Sequence, residues 1–404
     1  SLRINWQDGV ANHLNPLWLR ERCMSELTVD TDTKQPKMNP HDLPENLGVE
    51  EAGLIEGKKS LWVSFSDGHT SEYSLDRLRA ELVRFRETPL QVPAYKKLEP
   101  RLWSGGACRM PEFSHEEVMN SERTKLALVE ELLIGGQVLV HGVPQQDGEV
   151  VRFGQMFSTL RATDWGACFN VRTRPDEALA GGDAGLGAKK DLAYTPKPIG
   201  FHTDNPYRWP TPDFQLLHAI EHCTCPDGHA PCDGCQVMNF MVDGFYIAEL
   251  LREEDPEAFD LMCQVPVRFE NNGGDNGSAL VHVAPHFELE DGSEVAEGSR
   301  PALRALRFSA KSGQYAPPLE PEKLAAFYRA RRRFSELAHD PKHVLSLQLA
   351  PGSLLMFDNQ RLLHARSSIA PTDGERWVQG CYVDRDGLWL NFERWRRRLG
   401  AGSA

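Results

Sequence analysis

Gly200-Phe201-His202-Thr203-Asp204-Asn205-Pro206 is one half of the pattern that decides this fold, and Phe357-Asp358-Asn359-Gln360-Arg361-Leu362-Leu363-His364-Ala365-Arg366 is the other. In an extended backbone, residues two apart project to the same face, so His202 and Asp204 can both address one metal ion from the end of a strand. A distant histidine would complete the set. His364 is placed for that role, because it follows the apolar, strand-like run Leu354-Leu355-Met356-Phe357. Two imidazoles and one carboxylate on a single face leave the opposite positions of an octahedral iron open, as an oxygen-activating iron(II) centre requires. Arg376, twelve positions beyond His364, can hold an anionic cosubstrate through a bidentate contact. A His-x-Asp alone is common and is often a pair of hydrogen-bonded surface groups; the second stretch gives it weight.

The segment His364-Ala365-Arg366-Ser367-Ser368, with Gly374-Glu375-Arg376-Trp377-Val378-Gln379-Gly380-Cys381-Tyr382-Val383-Asp384-Arg385-Asp386 after it, resembles the C-terminal motif of the γ-butyrobetaine and trimethyllysine hydroxylases. These form a branch of the 2-oxoglutarate-dependent iron(II) dioxygenases. The resemblance runs from Leu17-Trp18-Leu19-Arg20 to Asp386. It implies iron(II) on His202, Asp204 and His364, with 2-oxoglutarate bound to it and its distal carboxylate gripped by Arg376. It also implies O2 as cosubstrate, a small quaternary-ammonium substrate hydroxylated at an unactivated C–H bond, and a homodimer, since members are commonly dimers.

A chain of 404 residues is too long for one ordinary core and predicts a large domain with a smaller companion. Its formal charge of -13 argues against nucleic acid or an anionic membrane as partner. No apolar run reaches the roughly eighteen residues of a membrane span, and Ser1-Leu2-Arg3-Ile4-Asn5-Trp6 lacks a signal-peptide core. Nine scattered cysteines fit a reducing compartment better than a disulfide framework. The expectation is a cytoplasmic protein.

Residues 1–95 read as a small α+β accessory domain. Ile4 to Val10 is a strand entering a turn, Leu61 to Tyr73 alternates about Asp67-Gly68 as a hairpin does, and helices follow at Pro16–Arg22, capped by Asn15, and at Leu75–Phe85. The domain resembles the N-terminal domain of the betaine hydroxylases, which in many members binds zinc. Only Cys23 and His69 remain of that ligand set, two where a structural zinc needs four. No zinc is expected here, and His69 is read as a turn residue. The Pro- and Gly-containing stretch 96–111 reads as a linker.

Residues 112–398 carry the chemistry. A helix from Glu122 to Leu133 ends at Gly135-Gly136 and leads into a buried strand at Gln137–Gly142. A further helix is expected at Gly148–Leu160 and a long one at Glu320–Ala338, with strands at His343–Leu349, Ser353–Phe357 and Trp377–Val383. Many short strands with few helices predict a mainly β domain with flanking helices. We expect a double-stranded β-helix, or jelly roll.

Trp165, Phe169, Tyr194 and Tyr382 each read, on their own, as core aromatics. The resemblance implies more, since they match the positions that form a trimethylammonium cage, with Trp165 and Phe169 substituting other aromatics. At the far end of the substrate the chain departs from the family. Asp191 stands at or next to one carboxylate-binding Asn, and Arg307 replaces another. Added positive charge from Arg307, Lys311 or Arg208 would suit a dianionic head group, while the bland alternative is a pair of solvated charges at Arg307 and Lys311.

Cys223-Thr224-Cys225 and Cys232-Asp233-Gly234-Cys235, joined by six residues rich in Gly and Pro, look like an insertion. Four thiolates so spaced can wrap a tetrahedral zinc, with His222 or His229 able to replace one; two disulfides or free loop thiols are the alternatives. Together these features predict a dioxygenase acting on a small trimethylammonium zwitterion, leaning to 2-trimethylaminoethylphosphonate, with γ-butyrobetaine close behind. A non-enzymatic jelly-roll binding protein and a zinc-dependent interaction module are the competing classes.

Overall fold

A computed structural model describes residues 1–33, 35, 37, 42–55, 57, 59–83, 94–173, 193, 195, 197–221, 237–272, 279–290, 300–309, 311–369 and 376–400. Two compact units, Ser1–Pro93 and Ala94–Ala404, divide the chain. Among the described residues no helix is long and apolar enough to cross a membrane.

In the first unit β1 (Leu2–Asn5) pairs with β2 (Ala11–Leu14), while β3 (Val49–Ile55), β4 (Ser60–Phe65) and β5 (Thr70–Ser74) form an antiparallel meander. Gly68 turns β4 into β5 at φ +80°, a left-handed conformation that a side chain resists. The helix Pro16–Glu21 starts where Asn15 Oδ1 accepts the Leu17 N–H at 2.8 Å. Leu19, Val63, Phe65 and Leu78 fill the core. His69 sits at the hairpin turn, its N–H on Asp67 Oδ1 at 3.0 Å, but its ring points inward to lie 3.2 Å from Cys23 Sγ. The hydroxyls of Ser71 (2.8 Å) and Ser25 (3.2 Å) surround the same sulfur. Burial pushes this thiol up, but hydrogen bonds with Ser25, Ser71 and Thr28 outweigh it and bring it down to about 6.

The second unit opens with β6 (Glu112–Ser114), β7 (Gln137–His141), β8 (Phe169–Thr173), β9 (Ile199–His202), β10 (Phe214–Glu221) and β11 (Asn239–Asp243). There follow β12 (Val267–Asn272), β13 (Ala279–Ala284), β14 (Phe287–Leu289), β15 (Leu303–Leu306) and β16 (Gly313–Tyr315), then β17 (Leu345–Leu347), β18 (Leu354–Asp358), β19 (Leu362–Arg366) and β20 (Arg376–Val383). One sheet has the order β6-β7-β18-β10-β20-β8 and a second the order β17-β11-β19-β9. Leu139, Val171, Ala219, Leu355, Phe357 and Val378 of the first share a core with Met241 and Leu362 of the second. This is the jelly roll, a mainly β domain with helices on its flanks.

The outer face of the larger sheet is covered by helices whose ends are set locally. Ser121 Oγ caps Glu122–Gly135, and Gly136 ends it in the left-handed conformation. Glu149–Phe157 buries Val150, Phe153 and Phe157 at helical spacing. On the other side, Phe327, Phe334 and Leu337 of Pro321–His339 pack with Val242 and Leu363 of the smaller sheet. Gly244–Glu254, Pro256–Gln264 and Arg385–Gly400 are among the helices not expected from the sequence. Asp243 and Asp255 cap the first two, Asp243 accepting from Phe245 N at 3.1 Å and Asp255 from Ala258 N at 3.0 Å.

Residues 96–111, expected as a linker, belong to the second unit. Trp103 is buried and donates to Gly135 O at 2.9 Å. Gly105 lies so close to the Val344 backbone that a Cβ there would come within 2.2 Å of its carbonyl carbon. Glycine serves close packing here, where composition alone suggested a loose connection.

Candidate active site

His202 closes β9, and its Cα partner across the ladder is His364 on β19. The cross-strand register thus brings two residues far apart in sequence side by side, with ring centroids 4.1 Å apart. Asp204 lies just past the end of β9. His202 Nε2 stands 3.3 Å from Asp204 Oδ1, and His364 Nε2 stands 3.9 Å from Oδ2. Among the described residues this is the group of three potential metal ligands close enough to share an ion. His202 Nδ1 lies 2.9 Å from Gly200 O, which fixes the N–H there and turns the Nε2 lone pair inward. Burial, and then the neighbouring His202, hold His364 well below the usual histidine range, so its imidazole is neutral and available as a ligand. Two imidazoles and one carboxylate on one face fit iron(II).

The carboxylate is held on all sides. Asn359, fully buried in the turn between β18 and β19, accepts the Asp204 N–H at 2.6 Å and donates Nδ2 to Asp204 O at 3.0 Å. Gln215 on β10 and Tyr382 on β20 are partners in the larger sheet, and both donate to Asp204 Oδ2, at 2.9 and 2.8 Å. Lys311 Nζ lies 2.7 Å from the other oxygen, Oδ1. Burial alone would raise Asp204, but Lys311, with the two imidazoles, holds it well below the ordinary carboxylate range. Asn205 takes φ +54°, a left-handed turn that Asn tolerates, and donates Nδ2 to Tyr382 Oη at 3.1 Å.

Arg376 begins β20. It is 5% exposed, and its Nε has no hydrogen-bond partner among the described residues. Burial, reinforced by the Arg366 charge, lowers its affinity for its proton. A buried guanidinium with a spare donor is a place for an anion, which fits the distal carboxylate of 2-oxoglutarate.

Of the aromatic candidates, Phe169 and Tyr382 stand together, ring centroids 5.4 Å apart. Gly380 makes this possible, because a Cβ at that position would come within 2.2 Å of the Phe169 ring. Trp165 is half-buried in a turn tied down by its neighbour Asp164, which pairs with Arg208 at 2.9 Å. Tyr194, Asp191 and the cysteines Cys223, Cys225, Cys232 and Cys235 lie outside the described residues. Arg307 is buried against Glu288, 2.7 Å from Oε2, and Glu288 also pairs with Arg304. Arg307 helps line a pocket of about 360 Å³ with Trp209, His282 and Glu288. His282 Nδ1 contacts Pro206 O at 3.2 Å, so this pocket opens beside the loop that continues from Asp204.

Gln215, Asn359 and Arg366 are further residues of this site that no sequence motif singled out. The signal for Arg366 was its position two residues past His364, on the same face of a strand; the other two reach the site only through sheet order.

A family model described as "Taurine catabolism dioxygenase TauD, TfdA family" matches residues 95–382, and one described as "Gamma-butyrobetaine hydroxylase-like, N-terminal" matches residues 1–79. A gamma-butyrobetaine dioxygenase of Pseudomonas sp. (strain AK-1) is 31% identical over 385 residues, covering 95% of this chain and 91% of its own length. The human gamma-butyrobetaine dioxygenase is 26% identical, over 100% of this chain and 96% of its own. A trimethyllysine dioxygenase of Meyerozyma guilliermondii is also 26% identical, over 96% and 91%.

Proposed function

Since the chain belongs to the TauD/TfdA family of dioxygenases, in its γ-butyrobetaine and trimethyllysine branch, with iron(II) and 2-oxoglutarate as cofactors, we propose that it hydroxylates a small trimethylammonium zwitterion. The chemistry supplied by iron(II) and 2-oxoglutarate when bound is oxidation of a C–H bond coupled to loss of CO2 from the cosubstrate. The protein's own residues bind, orient and exclude water. His202, Asp204 and His364 hold the metal; Gln215 and Tyr382 fix the plane of the carboxylate; Arg376 anchors the cosubstrate.

The observation that carries the substrate class is that Tyr382, whose hydroxyl is on Asp204, packs its ring beside that of Phe169. Aromatic faces at the edge of a metal site attract a quaternary ammonium, by about 2 kcal/mol for a good desolvated contact. Because that cage fixes which carbon faces the metal, regiochemistry is a matter of positioning. Phe169→Leu and Trp165→Leu keep apolar bulk and lose the quadrupole. Each should weaken a trimethylammonium substrate by about tenfold more than its neutral tert-butyl isostere; equal weakening would mean that these rings only pack.

For the anionic end we propose a phosphonate, as in 2-trimethylaminoethylphosphonate, ahead of the carboxylate of γ-butyrobetaine. Arg304 and Arg307 share one carboxylate, Glu288, and Arg307 Nε has no hydrogen-bond partner among the described residues, so positive charge and donors remain for a dianionic group. A pocket built for a carboxylate would leave a phosphonate oxygen desolvated and unpaired, at about 1–3 kcal/mol, or roughly ten- to a hundredfold. Hydroxylated product, measured across betaines that differ only in head group, tests this. The phosphonate should have the higher kcat/KM, and Arg307→Ala should harm it more than γ-butyrobetaine. If γ-butyrobetaine leads by tenfold in the unaltered protein, the plain betaine hydroxylase reading replaces this one; if no compound yields succinate, a binding protein does.

A further inference from the structure

We propose that Lys311 is a placeholder cation, which neutralises the metal-binding carboxylate when no metal is bound and must be displaced for metal to enter. The two oxygens of Asp204 are used differently. Oδ2 already accepts from Gln215 Nε2 at 2.9 Å and from Tyr382 Oη at 2.8 Å, which fills its two lone pairs. Oδ1 is therefore the oxygen left for a metal, and it is the one nearer the His202 ring, 3.3 Å from Nε2. Lys311 Nζ caps that oxygen at 2.7 Å.

A metal ion coordinated to Oδ1 and an ammonium in contact with the same atom would be two neighbouring cations in a site where Asp204 is only 5% exposed. Their repulsion at such a separation is large and poorly screened. Removing both would leave a buried carboxylate uncompensated, which is also costly. One cation exchanges for the other.

The local backbone suits a side-chain exchange. Lys311 N and Ser312 N both lie on Ser309 Oγ, at 3.3 and 3.0 Å, and Gln314 Nε2 donates to Ser309 O at 2.7 Å, so the loop is pinned. What can move is the four-carbon stem, whose point charge keeps no fixed geometry. An arginine there would hold Asp204 through a fork and release it less readily.

Binding of Mn(II) to the metal-free protein, without substrate or cosubstrate, tests the exchange together with the melting temperature of the metal-free form. Lys311→Met should bind Mn(II) on the order of tenfold or more tightly, and its metal-free form should melt about 5 °C lower. Lys311→Arg should bind Mn(II) more weakly than the unaltered protein. Lys311→Gln, which keeps a polar contact without charge, gives the same comparison should the Met variant fold poorly. Unchanged or weaker Mn(II) binding in the two neutral variants, or metal-free forms as stable as the parent, would overturn the proposal.

Discussion

Asp204→Ala should lose both substrate hydroxylation and 2-oxoglutarate turnover, to below about a thousandth of the parent rate, a loss of several kcal/mol of transition-state stabilisation. The site has three protein ligands within reach of one ion, and the substitution removes the one that carries charge. Among the described residues no other carboxylate joins this group. The next oxygens toward the site belong to groups that orient Asp204, namely Gln215, Tyr382 and Asn359. His202→Ala and His364→Ala should behave alike, whereas Gln215→Leu, which frees the carboxylate without removing it, should cost roughly ten- to a hundredfold in metal affinity. Succinate release and bound iron, measured on each purified variant, separate these effects. Near-parent turnover in Asp204→Ala would sink the assignment of the triad.

The triad was legible because its logic is local at each end. His202 and Asp204 lie two apart at a strand terminus, and His364 follows an apolar, strand-like run. What the sequence did not carry is which strands become neighbours. Gln215 and Tyr382 act together on Asp204 because β10 pairs with β20, and Asn359 reaches back because β18 and β19 turn beside the loop after β9. No spacing encodes that. Lys311 was visible as a charge near the site, but its partner, an oxygen of the metal carboxylate, was not. The linker was misjudged for a different reason: Gly105 signals either freedom or close approach, and only tertiary contact with Val344 distinguishes them. The missed helices at 244–264 begin at aspartates that look like loop residues until their carboxylates are seen capping N–H groups.

Arg376→Ala should leave iron binding intact while raising the KM for 2-oxoglutarate by about a hundredfold, as expected when one partner of a buried charge-assisted pair is removed. Two costs add. The cosubstrate loses a contact that a guanidinium can make through two parallel N–H groups, and its carboxylate is left in a site where Arg376 itself is only 5% exposed. Arg366 is the obvious substitute, since its charge is felt at Arg376. Its two Nη nitrogens are already committed, however: Nη1 lies on Ala193 O at 3.0 Å, and Nη2 on Thr195 O at 2.7 Å and Lys197 O at 2.9 Å. Turning it toward the cosubstrate would break those bonds and release the segment they hold. Arg376→Lys should therefore fall between parent and Ala, because it keeps the charge and loses the fork. The two readouts must move apart for the role to stand, with 2-oxoglutarate saturation shifted and metal content unchanged. A KM that hardly moves would mean that the cosubstrate's distal carboxylate is held elsewhere, and a parallel loss of iron would mean that Arg376 supports the fold of the site and not its ligand.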